Sequence, residues 1–207
     1  MNAQTKETQL ALSHDQIIDL LKDGNARFVN NKKSDRNLNL QVEQTSGGQF
    51  PFATVLSCID SRIPVETILD QGIGDLFSVR IAGNFVNDDI LGSMEFACKL
   101  AGSKVLVVMG HTSCGAVKGA CDGAELGKLT GMLNKIKPAV NAVENPKEAA
   151  ARTSANLDFV NDVARKNVEL TLEAIRSGSE VLAEMEAKGE IKLIGAMYDV
   201  ATGKVSF

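Results

Sequence analysis

Short apolar runs alternate with stretches of helical spacing, and this alternation constrains the fold more than any other feature of the chain. Three runs read as strands, Phe52–Ser57, Leu76–Ile81 and Lys104–Met109. Helical patterns lie between them, at Pro64–Asp70 and Asp88–Ala101. Strands that alternate with helices in short units predict an α/β fold with a mainly parallel central sheet flanked by helices. In such a fold the ligands collect beyond the carboxyl ends of the strands.

The flanks of this central region also have recognisable patterns. Ser13 followed by Gln16 is a capping box, and it predicts an N-terminal helix with Ile17, Leu20, Leu21 and Phe28 on one face. A long amphipathic helix and a C-terminal hairpin follow the central strands. The helix carries Leu157, Val160, Ala164, Val168, Leu172 and Ile175 on one side, and the hairpin joins Ile191–Tyr198 to Lys204–Phe207. We expect one domain over residues 1–207, with 1–48 as an N-terminal arm.

Charge and composition exclude several classes of function. The 207 residues carry a net charge of −4, so the basic surface that nucleic acids require is missing. The apolar run Val105–Met109 is far too short to span a bilayer, so no membrane span is predicted. Met1–Leu12 does not read as a signal peptide, which favours the cytoplasm; a periplasmic protein given without its leader is the alternative. Four cysteines favour ligands, nucleophiles or core residues over disulfides.

Two polar motifs follow the first and third predicted strands. The first is Cys58-Ile59-Asp60-Ser61-Arg62, where an extended backbone would point Cys58, Asp60 and Arg62 to one side. The second contains His111 and Cys114, whose spacing lets both reach one ion from the first turn of a helix. Neighbouring parallel strands would bring two thiols, an imidazole and a carboxylate together. This donor set predicts a zinc site, and Zn²⁺ is the expected cofactor.

The motifs and their order resemble those of β-class carbonic anhydrases. The matching segments are C-I-D-S-R at 58–62, V-R-I-A-G-N at 79–84, G-S-M-E-F-A at 92–97 and G-H-T-S-C-G at 110–115. The similarity runs from G-N-A-R-F at 24–28 to the final hairpin. The resemblance implies the fold of that family, zinc ligation by Cys58, His111 and Cys114, and a catalytic dyad of Asp60 and Arg62. In some members the aspartate itself takes the fourth zinc position.

The same resemblance suggests the substrate pocket. Gln49 matches the plant-type branch, in which this amide contacts the substrate across a subunit interface. The pocket wall would consist of Phe77, Ala82, Gly83 and Phe96. Ala82 stands where the plant-type pattern commonly has Val, and Phe96 stands where it has Tyr.

Two further expectations come from the resemblance. Val55 occupies the place of the Trp that builds a regulatory bicarbonate site in the other branch, so we expect no such site. A pocket between subunits implies a homodimer or a homotetramer. In that assembly we expect the segment from Ser13 to Asn30 to pack on the partner subunit.

The expected reaction is the attack of zinc-bound hydroxide on CO2, which yields bicarbonate and a proton. Arg62 would keep Asp60 ionised and turned away from the metal. Two alternatives retain the zinc: a hydrolase of carbon disulfide or carbonyl sulfide, and a non-catalytic zinc protein with Asp60 as permanent fourth ligand. Thiol redox chemistry is disfavoured because the chain has no Cys-x-x-Cys spacing. Asp60 and Arg62 can also be interpreted as a purely structural ion pair.

Overall fold

A computed structural model describes all 207 residues as five strands and ten α-helices. The strands are β1 Ala53–Ser57, β2 Leu76–Arg80, β3 Val105–His111, β4 Lys192–Tyr198 and β5 Val205–Ser206. The helices are α1 Lys6–Ala11, α2 His14–Val29, α3 Leu38–Thr45, α4 Val65–Ile68, α5 Asp88–Glu95, α6 Gly115–Asp122, α7 Gly127–Leu133, α8 Lys137–Ala142, α9 Leu157–Gly178 and α10 Glu180–Ala187. A π-helical segment, Phe96–Leu100, continues α5, and Ala149–Ala151 forms a 3₁₀ turn. No helix is both long and apolar enough to cross a bilayer.

The strands form one sheet in the order β2-β1-β3-β4-β5. The first four strands are parallel, and β5 pairs antiparallel with β4. The predicted mainly parallel sheet and C-terminal hairpin are therefore confirmed. Because β1 and β3 are direct neighbours, their carboxyl ends meet at one edge of the sheet.

Apolar side chains cover both faces of the two central strands. Every residue of β1 and β3 is buried, which explains why their sequences are continuous apolar runs rather than alternating ones. Val105, Val107 and Met109 of β3 face a core that includes α2 and α9. Leu106 and Val108 face the opposite core, which includes α5 and α10. The sheet is thus sandwiched between two helical layers.

The N-terminal helix α2 packs on its own subunit. Ser13 and Gln16 form the expected capping box, and Ile17 and Leu21 are fully buried in the core beside the sheet. Leu20, which was predicted for the same face, is exposed. Gly24 lies so close to Leu69 that a Cβ atom would meet its carbonyl oxygen at 1.8 Å. The apolar face of this helix is thus accounted for within its own subunit, and the expectation that the segment also packs on a partner stays a prediction.

Other boundaries differ from the sequence interpretation. The polar stretch between Asn30 and Gly48, for which the sequence predicts no element, contains α3, and Asn37 Oδ1 caps its first turn by accepting from the Leu40 N–H at 3.0 Å. Helices α7 and α8 were also not predicted. The third strand continues beyond Met109 to His111, and the next helix begins only at Gly115. This last difference matters, because it places His111 on a strand rather than on a helix.

Candidate active site

Three side chains that can bind a metal converge at the carboxyl ends of β1 and β3. Cys58 directly follows β1, His111 is the last residue of β3, and Cys114 is the N-cap of α6. All three are at least 97 % buried. Their donor atoms lie within 4.8 Å of one another, and the two sulfur atoms are 4.0 Å apart. The structure therefore brings together the Cys2His set that the sequence predicts.

The hydrogen bonds of this cluster fit a metal ion. His111 Nδ1 lies 2.9 Å from the Thr112 carbonyl oxygen, which can only accept, so Nδ1 carries the proton. His111 Nε2 is then a free acceptor, and it is buried with no hydrogen-bond partner. A metal would supply the missing partner of this nitrogen, and a Cys2His set suits Zn²⁺.

The two thiols have different environments. The Cys114 thiol, 4.0 Å from the Cys58 sulfur, lowers the pKa of Cys58, and the Gly83 N–H, 3.3 Å from the same sulfur, adds to this effect. The same interaction with Cys58, together with burial, raises the pKa of Cys114. The two close sulfurs share a proton here. A divalent cation would displace that proton, because zinc binds cysteine as the thiolate.

Asp60 and Arg62 lie beside this cluster. Arg62 donates from Nε to Asp60 Oδ1 at 2.9 Å and from Nη2 to Oδ2 at 2.7 Å. This contact holds the pKa of the Asp60 carboxyl far below its usual range. Asp60 Oδ2 lies 3.9 Å from His111 Nε2, so the carboxylate faces the cluster.

The two residues meet through a turn, not through alternation along a strand. The Ile63 N–H bonds to the Asp60 carbonyl at 3.0 Å, and the Arg62 N–H bonds to Asp60 Oδ1 at 3.0 Å. The expected extended geometry is therefore wrong, although the pairing that it predicted occurs. His111 and Cys114 are similarly joined by a turn at Thr112 and Ser113, where Ser113 has φ +55°.

Arg80 is a site residue that the sequence analysis did not single out. Its Nε donates to the Cys58 carbonyl at 3.0 Å, and its Nη2 donates to the Asp60 carbonyl at 2.7 Å. Arg80 ends β2 and lies in register with Ser57, the residue before Cys58. It therefore holds the segment that carries both a metal ligand and the carboxylate. The quoted segment V-R-I-A-G-N contains it, and that motif was the available signal.

The residues predicted for the substrate pocket lie in different places. Phe77 and Phe96 meet edge to face with ring centroids 6.2 Å apart, and they line an open groove next to Arg80. The Phe96 side chain is half exposed. Gly83 is buried and contacts Cys58, Ala82 is half-buried, and Gln49 is exposed in the segment before β1. The structure thus brings the two phenylalanines together and leaves Gln49 on the surface.

Comparisons with known proteins agree with this geometry. Residues 53–205 match the family model described as carbonic anhydrase. A carbonic anhydrase of Mycolicibacterium smegmatis is 34 % identical over 187 residues, which cover 89 % of this chain and 88 % of the relative. A structure of tetrameric β-carbonic anhydrases from Sordaria macrospora matches with a TM-score of 0.67 and 25 % identity, over 81 % of this chain and 89 % of that one.

A carbon disulfide hydrolase of Acidithiobacillus thiooxidans is also similar, at 30 % identity over 125 residues. That match covers only 55 % of this chain and 57 % of the relative. The match to the family model and the long match to the mycobacterial enzyme decide the assignment. The chain belongs to the carbonic anhydrase family, in its β class.

Proposed function

We propose that this protein is a zinc-dependent carbonic anhydrase that interconverts CO2 and bicarbonate with the release of a proton. Cys58, His111 and Cys114 would hold the metal. The observation that carries the proposal is the buried, unpartnered Nε2 of His111 between two cysteine sulfurs that are 4.0 Å apart. When bound, Zn²⁺ acts as a Lewis acid that makes a water molecule nucleophilic near neutral pH.

The carboxylate of Asp60 would orient the reacting water. Two thiolate ligands balance the charge of Zn²⁺, so further activation has to come from neighbouring groups. Asp60 Oδ2 faces the cluster, and as an ionised carboxylate it can accept a hydrogen bond from the water and direct a lone pair toward the carbon of CO2. Arg62 fixes the orientation of this carboxylate by binding both of its oxygens.

The Asp60–Arg62 pair also bears on the hypothesis of a non-catalytic zinc protein. As a permanent fourth ligand, Asp60 would have to bring a carboxylate oxygen closer to the three donor atoms than it lies here. Arg62 engages both oxygens of Asp60, and Asp60 does not belong to the mutually close group of metal-binding side chains. This arrangement supports a carboxylate beside the reacting water, with a fourth metal position that would be open to that water.

The substrate pocket extends the proposal to an assembly. Phe77, Phe96, Ala82 and Gly83 would form its wall, and Gln49 would come from the partner of a homodimer or homotetramer. The exposure of Gln49 and Phe96 supports this, because both face outward in a single chain. The plant-type pocket, the single-domain organisation with residues 1–48 as an arm, and the cytoplasmic location with the periplasm as alternative stay predictions.

Stopped-flow CO2 hydration from about pH 6 to pH 9, with the zinc content measured on the same sample, tests the function. We expect about one zinc per chain and hydration activity that rises with pH. Cys58→Ser should remove both metal and activity. Cys121→Ser is the matched control, because Cys121 is a half-buried cysteine outside the cluster.

Three outcomes would contradict the proposal. Folded wild-type protein with zinc but no CO2 hydration at any pH would favour a structural metal. Release of sulfide from carbon disulfide without CO2 hydration would favour the hydrolase alternative. Loss of activity in Cys121→Ser equal to that in Cys58→Ser would show that the assignment of the cysteines is wrong.

A further inference from the structure

Helix α9 contacts two of the loops around the metal-binding cluster. The apolar side of this helix packs on the sheet, as its sequence pattern predicts. Two of its asparagines, Asn161 and Asn167, donate or accept hydrogen bonds at the backbone of these loops. They belong to neither the proposed ligand set nor the proposed dyad, and they lie far along the chain from both loops.

The first loop joins His111 to Cys114. Its residue Ser113 has φ +55°, a left-handed conformation that is costly for a residue with a side chain and persists only where neighbours hold it. The Ser113 N–H donates to Asn161 Oδ1 at 2.9 Å. An asparagine side chain accepts through its amide oxygen, so Asn161 acts as the acceptor in this contact. Asn161 therefore stabilises the turn that lets His111 and Cys114 reach the same point.

The second loop follows β2 and contains Gly83 and Asn84, with φ of +81° and +42°. The Gly83 N–H donates to the Cys58 sulfur at 3.3 Å. The Gly83 carbonyl accepts from Asn167 Nδ2 at 2.8 Å, and Asn167 is 3 % exposed. A carbonyl cannot donate, so the role of Asn167 is that of a donor. Asn167 therefore fixes the peptide whose N–H contacts a metal-binding sulfur.

We infer that Asn161 and Asn167 are positioning residues of the zinc centre, through which α9 holds the turn between His111 and Cys114 and the Gly83 peptide that contacts the Cys58 sulfur. The inference rests on the proposed function, since it concerns the same cluster. The two asparagines act with opposite hydrogen-bond polarity, one as acceptor and the other as donor. This difference separates a positioning role from mere packing. Aspartate has nearly the same shape as asparagine, but an ionised aspartate accepts hydrogen bonds and cannot donate them.

The experiment compares aspartate and leucine at both positions. Asn161→Asp keeps an acceptor for Ser113, whereas Asn161→Leu does not. Asn167→Asp loses the donor and places a carboxylate against the Gly83 carbonyl, and Asn167→Leu also loses the donor. Asn156→Ala is the matched control: Asn156 caps the same helix, through a 3.3 Å bond to the Phe159 N–H. Asn167→Ser is a second, smaller variant in case Asn167→Leu does not fold.

The first readout is zinc affinity, measured by competition with a chelator. The second is the sulfur-to-cobalt charge-transfer absorption of the Co²⁺-substituted protein. We expect Asn161→Leu, Asn167→Leu and Asn167→Asp to lower zinc affinity by about 10-fold to 100-fold and to alter the cobalt spectrum. Asn161→Asp should stay close to wild type in both. Asn156→Ala should lower the melting temperature and leave both readouts unchanged.

Several results would overturn the inference. Wild-type zinc affinity in both leucine variants would show that α9 does not position the cluster. An equal effect of aspartate at both positions, or an equal loss in Asn156→Ala, would reduce the role of the asparagines to packing or overall stability. Wild-type protein that binds no zinc would overturn the proposed function as well, whereas zinc-loaded, active wild-type protein with unaffected variants would overturn this inference alone.

Discussion

Asp60 and Asp70 are both held by arginine, yet their surroundings differ. The Asp70 side chain is 3 % exposed and accepts bonds from Arg27, from Arg36 and from the backbone N–H and hydroxyl of Ser34. Asp60 is paired with Arg62 alone, which is about half exposed. Asp70 follows α4 and is held by α2 and by the segment after α2, whereas Asp60 faces the metal-binding cluster.

The difference separates a carboxylate that stabilises the fold from one that is available for chemistry. Both oxygens of Asp70 already accept several hydrogen bonds, so nothing further can bind there without displacing a partner. Asp60 Oδ2 accepts only from Arg62 Nη2, and its remaining lone pair is free beside His111 Nε2. An ion pair alone therefore indicates neither role, and the unused acceptor capacity together with its direction indicates function.

The largest expected effect is on turnover in Asp60→Asn. The amide keeps the shape of the side chain and removes the charge that, in the proposed role, would orient the reacting water, so kcat should fall by roughly 100-fold to 1,000-fold. The zinc content should stay the same. Because the Asp60–Arg62 pair is near the surface, the free energy of unfolding should change by less than about 1 kcal/mol. Stopped-flow hydration and metal analysis on one sample measure both quantities, and full activity in this variant would refute the role given to Asp60.

Asp70→Asn should have the opposite pattern and a smaller effect on turnover. Removing one partner of a buried ion pair leaves Arg36 without its counter-charge, so the free energy of unfolding should fall by roughly 3 kcal/mol. The kcat per bound zinc should change by less than about twofold, because Asp70 makes no contact with the proposed reacting groups and so contributes little to the activation barrier. Urea unfolding at neutral pH measures the loss. A large fall in kcat at full zinc loading would contradict the comparison.

The same pair predicts a pH dependence. Burial alone raises the pKa of Asp70, but the bonds from Arg27, Ser34 and Arg36 outweigh burial and hold the pKa below its usual value. A depressed pKa in the folded state stabilises the protein above the usual carboxyl pKa, about 4, and this stabilisation is lost as the pH falls through the folded value. The stability gap between wild type and Asp70→Asn should therefore narrow as the pH falls below about 4. A gap that widens in acid would show that the sign is wrong.

The sequence predicted the site from its topology, because the ends of adjacent parallel strands have to meet. This topology alone predicts that Cys58, His111 and Cys114 meet, as they do in the structure. The prediction failed on the local geometry: Asp60 meets Arg62 through a turn, and Ser113 has a left-handed backbone. Periodicity describes regular elements, and neither turn has a period.

The sequence also did not predict the hydrogen bonds between residues that are far apart along the chain. Arg80 bonds to the backbone of Cys58, and Asn161 and Asn167 bond to loops that lie 48 and 84 positions earlier. In a single sequence these residues are ordinary polar residues of a strand end and an amphipathic helix. Only the folded chain shows that their polar groups bond to the backbone around the cluster. The apolar pattern of α9 predicted its packing correctly and carried no information about its polar contacts.

Arg62→Lys should lower kcat less than Asp60→Asn does, and it separates the effect of geometry from the effect of charge. Lysine keeps the positive charge, so Asp60 stays ionised, but a single ammonium cannot bind both carboxylate oxygens in the fixed orientation of a guanidinium. We expect kcat to fall about tenfold with zinc content unchanged, because the carboxylate is charged but less well oriented. Arg27→Lys is the matched control at Asp70, where the other donors keep the carboxylate in place and kcat should not change. Stopped-flow hydration compares the two. Wild-type kcat in Arg62→Lys, with a low kcat in Arg62→Ala, would show that Asp60 needs only a neighbouring positive charge. The bidentate contact would then have a structural role and no role in turnover.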